Sequence, residues 1–408
     1  MELTVLTEEE FRSFRDTSPY RTFMQTPEIG KLRTKSGWQV TYLGLKKELN
    51  IVAATMLLSK KRYFGKSEFY ALRGPLLDFE DLALFRTFLQ LLKKYVKDHN
   101  GYCLRMDPYL VYKQRDSSGA LVSNGVDHSD NVAVLNKLGF KAVPLAEQEQ
   151  VSWMYVLDIE NQTEDEIMKN LRPNTRNTIR KTLKNGIEIE ELALEDLPKF
   201  YQIMEETGKR KQFAIRDLAY FEHMYELFSP RHEIKYLITK LNLKKHIALL
   251  QKEKEEVVQE KEKLSPAKYN DGKRKSLDST IEGFNKRMKQ AEQLQQEYGE
   301  EIILSGSMFM LCQPEIIYLS SGNYEQFMMY NSQYLIQWEM IKYGIEHGFK
   351  RYNFYGIPST FDKNDKDYGI YEFKTGFNGY VEQLIGEYVV ATSPLYYLVR
   401  LVHKLKKK

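Results

Sequence analysis

Six positive residues and no acid fall between Lys169 and Lys184: Lys169, Arg172, Arg176, Arg180, Lys181 and Lys184. Arg172, Arg176 and Arg180 are four apart, so an unbroken helix would carry them on one face. Pro173 breaks or restarts such a helix, so the shared face is safer for Arg176 and Arg180 than for Arg172. A guanidinium fork suits phosphate oxygens. The candidate ligands for Arg172, Arg176, Arg180 and Lys181 are therefore a tRNA backbone, a pyrophosphate or an anionic headgroup. The plain alternative is a solvated helix face.

Other chemistry lacks its motif. No HExxH zinc helix and no GxSxG elbow occurs. Gly65-Lys66-Ser67 resembles the end of a phosphate loop, but the position that needs the first glycine is Lys60. Arg62-x-x-Gly65-x-Ser67 approaches a coenzyme A pyrophosphate turn and lacks its final small residue. The seven histidines are scattered, and Asn100-Gly101 predicts a turn between His99 and Cys103. No metal site, cofactor or Ser/Cys-His nucleophile pair is expected. A transferase acting on an already activated ester needs neither: it aligns two substrates, deprotonates an amine and stabilises an oxyanion.

The elements that must position such chemistry read as mixed α/β. Thr7 and Glu10 make a capping-box pattern that starts a helix, and Thr163 with Glu166 repeats it. Val40–Leu45 and Ile51–Leu58 read as strands, with a helix over Leu82–Lys97. Residues 135–143 and 334–356 each show a helix, a Gly-Phe-Lys stop and a strand, which suggests two domains of similar build. Over 241–300, Leu243, Ile247, Leu250, Val257 and Leu264 follow an alternating four-three spacing. It resumes after the turn-forming Asn270-Asp271-Gly272 with Leu277, Ile281, Phe284, Met288 and Ala291. That pattern predicts an antiparallel helical hairpin of coiled-coil type, an arm of roughly 35 Å at 1.5 Å per residue. Its near-balanced charge favours a solvated spacer over a docking arm for tRNA or a partner.

Bulk properties set limits. A chain of 408 residues predicts two or three domains, and a net charge of +4 is too small to argue nucleic-acid binding without clustering. Two distant cysteines fit a reducing cytoplasm. The acidic start lacks the apolar core of a signal peptide, and no segment approaches the ~18 apolar residues of a membrane span. Membrane contact would be peripheral. The end, PLYYLVRLVHKLKKK, sets Leu395, Leu398, Val399, Val402 and Leu405 among basic residues. Beside an anionic leaflet each Lys or Arg contributes about 1 kcal/mol; a helix packed on the body is the equal alternative.

Several segments together resemble the Fem family of peptidoglycan peptidyltransferases. They are Phe23-Met24-Gln25-Thr26, Arg73-Gly74-Pro75, Met106-Asp107-Pro108-Tyr109-Leu110, Asn174-Thr175-Arg176-Asn177-Thr178, Arg351-Tyr352-Asn353-Phe354-Tyr355-Gly356 and Phe373-Lys374-Thr375-Gly376-Phe377. The resemblance implies an α/β (α+β) fold of two GNAT-like domains with the arm inserted in the second. The expected boundaries are 1–150 for the first domain, 151–240 and 301–393 for the second, 241–300 for the arm and 394–408 for the basic end. It also implies transfer of an aminoacyl group from aminoacyl-tRNA to a stem-peptide amine of a lipid-linked peptidoglycan precursor, at the cytoplasmic face of the cell membrane. A homodimer or pairing with a related transferase is a further expectation.

Site residues carry over by local match. Lys35, followed by Trp38, resembles the lysine that meets the precursor's phosphates, although Lys31 and Arg33 compete for the position. Arg216 and Tyr220 resemble the Arg and Tyr of the same ligand; a salt bridge of Arg216 to Asp217 or Glu222 is the alternative. Tyr102 and Asp107 resemble the Tyr and Asp beside the peptide site, where Asp107 would orient or deprotonate the amine, or merely cap a strand end. Tyr318 resembles a substrate-facing tyrosine or sits in a core. Lys374, after Phe373, resembles the lysine that meets the aminoacyl ester; otherwise it is a surface lysine.

Overall fold

The computed structural model describes residues 1–365 and 367–406. Lys407 and Lys408 of the basic terminus lie outside the described residues.

The chain opens with β1 (Glu2–Val5), α1 (Glu8–Thr17), α2 (Pro27–Lys35), β2 (Gln39–Lys47), β3 (Asn50–Tyr63), β4 (Lys66–Ala71) and β5 (Leu76–Leu77). Next come α3 (Leu82–Asp98), β6 (Gly101–Met106), β7 (Val111–Arg115), α4 (Ser129–Lys137), β8 (Lys141–Ala142) and β9 (Trp153–Asp158). Then follow α5 (Glu164–Asn170), α6 (Pro173–Lys184), β10 (Ile187–Glu191), α7 (Leu197–Lys211), α8 (Leu218–Phe228) and β11 (Ile234–Asn242). The arm is α9 (Leu243–Glu262) and α10 (Asp271–Tyr298). The chain continues through β12 (Glu301–Cys312), β13 (Glu315–Asn323), α11 (Ser332–Glu346), β14 (Arg351–Gly356) and α12 (Tyr368–Thr375). It closes with β15 (Tyr380–Leu384), β16 (Tyr388–Ala391) and α13 (Leu395–Lys406).

Local chemistry sets the helix starts. Thr7 and Glu10 make the reciprocal bonds of a capping box, as do Thr163 and Glu166. Thr26 caps α2 with Pro27 at its first position, and Pro173 opens α6 in the same way.

Among the described residues there are two eight-stranded sheets. The first runs β1-β2-β3-β4-β6-β16-β8 with β5 on β3; the second runs β10-β11-β12-β13-β14-β9-β15-β7. Each holds an antiparallel meander (β2-β3-β4; β11-β12-β13) and one parallel pair reached through a helix, β4-α3-β6 and β13-α11-β14. This repeat is the two-domain build expected from sequence. The two Gly-Phe-Lys junctions are not its matching parts, however. One leads from α4 to the edge strand β8, the other from α11 to the central strand β14; the true counterpart of α11-β14 is α3-β6.

The sheets also correct the boundary at residue 150. Strand β7, from the first half of the chain, pairs with β15 in the second sheet, and β16, from the far end, pairs with β6 and β8 in the first. Each domain thus closes with a strand from the other's stretch of chain. One apolar cluster runs through both, with Phe11, Ile29 and Met56 joined to Phe200, Phe221 and Tyr236. The helices α2 and α8 pack together across this seam.

The arm replaces a hairpin turn. β2 and β3 are joined by Glu48 and Leu49, whereas β11 and β12 are joined by α9 and α10, about 30 and 42 Å long at 1.5 Å per residue. At its root Leu243, Leu250, Phe284 and Ala291 are buried. Farther out Val257, Leu264 and Leu277 are half-buried, and Lys261 pairs with Asp278. The turn falls earlier than expected: α10 begins at Asp271, so Gly272 lies inside its first turn.

Candidate functional site

Three resemblance motifs meet where the sheets adjoin. The backbone N–H of Arg73, in the motif after β4, donates to Asp107 Oδ1 at 2.8 Å, and its guanidinium stands 3.6 Å from Oδ2. Asp107 is only 2% exposed. Burial raises its carboxyl to about 6 against the pull of Arg73, and Oδ2 is left without a hydrogen-bond partner of good geometry. The buried Tyr70 hydroxyl beside it is left in the same way. A buried carboxylate oxygen with spare acceptor capacity can take a proton or a donor from a ligand.

Arg73 extends the cluster into the second domain. Its guanidinium donates to Val151 O at 2.5 Å, lies 5.7 Å from the Tyr109 ring centre and rests against the Tyr355 hydroxyl. Tyr109 donates to Glu315 at 2.6 Å and accepts from Asn353 at 3.0 Å; Arg351 donates to Glu382 at 2.6 Å. In the sequence Arg73, Tyr109, Asn353 and Tyr355 stand out only as parts of the motifs that carry the resemblance. Their polar character at strand ends was the available signal, but partners up to 244 residues away give it no local pattern.

The cations at the seam divide into paired and unpaired. Lys31 is bound to Glu8 at 3.0 Å and Arg33 to Glu149 at 2.9 Å. Lys35, exposed in the last turn of α2, makes no ion pair among the described residues. Across the seam Asp217 spends Oδ1 on capping α8, 2.9 Å from the Tyr220 N–H. Arg216 makes no ion pair among the described residues, which removes the salt-bridge alternative; it stacks over Tyr220, 5.4 Å from the ring centre. Burial pushes the Tyr220 hydroxyl up, while Arg216 and Arg33 act the other way.

A ladder of charges links this seam to the far end of the first sheet. Glu149 joins Arg33 to Arg105, which also holds Glu387 at 2.8 Å and Glu68 at 2.9 Å; Glu68 in turn holds Arg62. Arg62 stands 5.5 Å and Lys60 6.0 Å from the Trp38 ring centre. Tyr102 joins this end of the ladder, not Asp107. It is the second residue of β6 while Asp107 follows the last, so the two are roughly 16 Å apart at 3.3 Å per residue. The two residues expected beside the peptide site therefore stand near opposite ends of one strand and do not touch.

Lys374 is not a surface lysine. It lies in the last turn of α12, 6% exposed, and its Nζ donates to Gly356 O at 2.6 Å. Burial lowers its ammonium to about 7. Tyr318 lies beneath it, the ring centre 6.0 Å away. That tyrosine is buried on β13, stacked on Phe309 and hydrogen-bonded to Ser321 and Gln333, and burial pushes its hydroxyl up to about 12. Phe373 packs on Tyr334 and Phe377. Gly356 follows Tyr355 in β14, so Lys374 connects through one residue to the Arg73–Asp107 cluster.

The basic run divides too. Arg172 lies before α6 as its N-cap, off the face shared by Arg176 and Arg180. Arg176 caps α5 through Lys169 O at 2.7 Å. Arg180 and Lys181 are exposed. The run adjoins the Lys374 segment: Arg172 N donates to Gly376 O at 3.0 Å, and a Cβ on Gly376 would lie 2.1 Å from Thr175 Oγ1.

Residues 6–404 match the FemAB family. Aminoacyltransferase FemA of Staphylococcus aureus strain MRSA252 is 30% identical over 425 aligned positions, covering 100% of both chains. The same protein from the bovine strain RF122 / ET3-1 is 29% identical over 424, again with full coverage. A crystal structure of FemX has the same fold, with a TM-score of 0.78 at 24% identity over 98% of this chain and 100% of that one. A tandem GNAT protein from the clavulanic acid pathway shares the two-domain fold at a TM-score of 0.50 and 9% identity, over 96% and 99%. With a family match along nearly its whole length and relatives aligned from end to end, this chain belongs to the FemAB family and is an aminoacyltransferase.

Proposed function

We propose that this enzyme transfers an amino acid from aminoacyl-tRNA to an amine on the stem peptide, or on the growing bridge, of a lipid-linked peptidoglycan precursor. The observation that carries the reading is the seam, where α2 and α8, from different domains, pack together: Lys35 ends the first, Arg216 precedes the second, neither makes an ion pair among the described residues, and Tyr220 on α8 leads through Tyr355 to Arg73 and Asp107. Two such cations suit a pyrophosphate with a peptide extending inward from it.

In the reaction the acceptor amine attacks the ester carbonyl. A C–N bond forms, the C–O ester bond breaks and the tRNA terminal ribose leaves as an alcohol. One proton must leave the amine and one must reach the ribose oxygen. Asp107, titrating near 6, suits the first task and Lys374, titrating near 7, the second, or stabilisation of the oxyanion. Trp38, Tyr102 and Tyr220 would hold the sugar and peptide, Tyr318 and Phe373 the aminoacyl end. The exposed cations Arg172, Arg180 and Lys181 near the Lys374 segment suit a tRNA backbone.

The test is mass spectrometry of lipid-linked precursor incubated with a mixed pool of charged tRNAs. Addition of one residue mass without ATP or coenzyme A is expected; transfer that survives RNase treatment of the donor would sink the reading. A coenzyme A-dependent acyltransferase of the same build is the runner-up, checked by acetyl-coenzyme A binding. Gly65 sits in a turn between two strands, with no helix N-terminus behind it to receive a pyrophosphate. A non-catalytic scaffold predicts instead that removing 241–300 abolishes partner binding.

A further inference from the structure

We propose that one edge of the first domain, made of the β3–β4 turn and the outer face of α13, docks on an anionic lipid bilayer. The inference deepens the reading above and rests on it for the lipid-linked acceptor. The surface itself follows from its residues.

Two elements build the edge. Helix α13 turns Leu395 and Tyr396 inward, against Tyr102 and Cys103. Its other side shows Leu398 at 62%, Leu401 at 56% and Leu405 at 65% exposure. At 100° per residue these three fall within about 60° of one another, with Val402 and Tyr397 flanking them. Leucines exposed singly are ordinary; a contiguous stripe of them marks an interaction surface. The second element is Phe64 at the tip of the β3–β4 turn, 91% exposed with φ +51, followed by Gly65 at φ +72. A two-residue turn with both φ positive suits Asn-Gly. A bulky aromatic ring held there in a left-handed conformation, in solvent, is a local cost without a packing gain.

The two elements are contiguous. The Tyr63 ring packs edge-on against Tyr102 at 6.1 Å, and Tyr102 packs against Leu395 and Tyr396. Basic residues rim the turn, where Lys61 and Lys66 flank Phe64; on α13 Arg400 is exposed beside Tyr396, off the leucine stripe, and neither residues 59–67 nor 393–408 include an acid. An apolar stripe with a basic rim and an aromatic wedge is the pattern of an interfacial element lying in a headgroup layer. No helix among the described residues is long and apolar enough to cross a membrane, so the contact is a surface one. A second copy is a poorer occupant, because a two-fold axis through this patch would set one basic rim against the other. Arg62, two residues before Phe64, carries the Trp38 end of the charge ladder. Trp38 follows the end of α2 that carries Lys35, so the docked edge is joined through Arg62 and Trp38 to that helix end.

The test uses the full chain and vesicles without substrate. The wild type is expected to sediment with phosphatidylglycerol vesicles far more than with phosphatidylcholine vesicles, less so as salt rises. Combining Phe64→Ser with Leu398→Ser, Leu401→Ser and Leu405→Ser is expected to weaken that binding by about tenfold or more. Its melting temperature and its transfer to a lipid-free, water-soluble acceptor should not change. Phe64→Ser alone should give part of the loss. Equal sedimentation of wild type and variant overturns the proposal, as does a wild type that stays in solution. So does a variant that loses only self-association in ultracentrifugation while still binding vesicles. Vesicle binding without any transfer would support the surface and sink the reaction; transfer without vesicle binding would do the reverse.

Discussion

Replacing Lys374 by methionine should stabilise the protein and stop the reaction. Methionine keeps the length of the aliphatic stem and removes the amine. Burial lowers that amine from 10.5 to about 7, so folding either discharges it or buries it charged. Above pH 10.5 it is neutral in both states and costs nothing. Between pH 10.5 and 7 the unfolded chain holds the proton and the folded chain does not, so stability falls as pH falls, by about 1.4 kcal/mol per pH unit. Below pH 7 both states hold the proton and the penalty is at its full, constant size. At pH 8 the cost is thus about 3 kcal/mol. Against it stands the 2.6 Å bond to Gly356 O, whose loss costs about 1–2 kcal/mol. Lys374→Met should therefore be more stable than wild type by about 1–2 kcal/mol at pH 8. That advantage should shrink by about 2–3 kcal/mol from pH 7.5 to pH 9.5 and so vanish or reverse in sign near the upper value. Urea melts at both pH values measure it, with turnover followed in parallel. A stability difference that does not change with pH would refute the burial argument. A variant with wild-type turnover would remove Lys374 from the chemistry, whatever its stability.

Asp107→Asn keeps an acceptor for the Arg73 N–H but cannot take a proton. The wild-type rate should rise with pH through about 6, and that limb should vanish in the variant, with turnover at least about tenfold lower; a limb that persists assigns it elsewhere. Arg216→Ala should raise the KM for the precursor by about tenfold or more and leave kcat alone, because it removes a charge-assisted contact without breaking an internal ion pair; a fall in kcat with unchanged KM contradicts the phosphate role. Gly376→Ala drives a methyl group onto Thr175 Oγ1 and should cost about 1–3 kcal/mol in a denaturant melt. Adding Thr175→Ala should restore part of that loss, and strict additivity of the two would disprove the contact.

Much of the molecule was legible before its structure. Helix starts at Thr7 and Thr163, the stop at Gly348 and the arm over 241–300 are signals between residues a few positions apart. Capping, periodicity and turn chemistry act at that range. The resemblance also named Asp107, Lys374, Arg216 and Tyr220, residues far apart in the chain that the fold brings to or beside the seam. What could not be read was which member of each basic cluster is free. Lys31, Arg33 and Lys35 look alike in sequence, and only the approach of Glu8 and Glu149 separates them.

The sequence by itself thus determined the element types, the inserted arm, the repeated α/β build and the family, because each follows from local pattern or from motifs in order. The tertiary structure decided the rest. It exchanged β7 and β16 between the sheets, since strand pairing is a contact between segments far apart in the chain. It sent Tyr102 to the opposite end of β6 from Asp107, and it buried Lys374 against Gly356 and Tyr318. Burial and ion pairing depend on what arrives from elsewhere in the chain. Those two quantities set the charge, and therefore the chemistry, of each candidate residue.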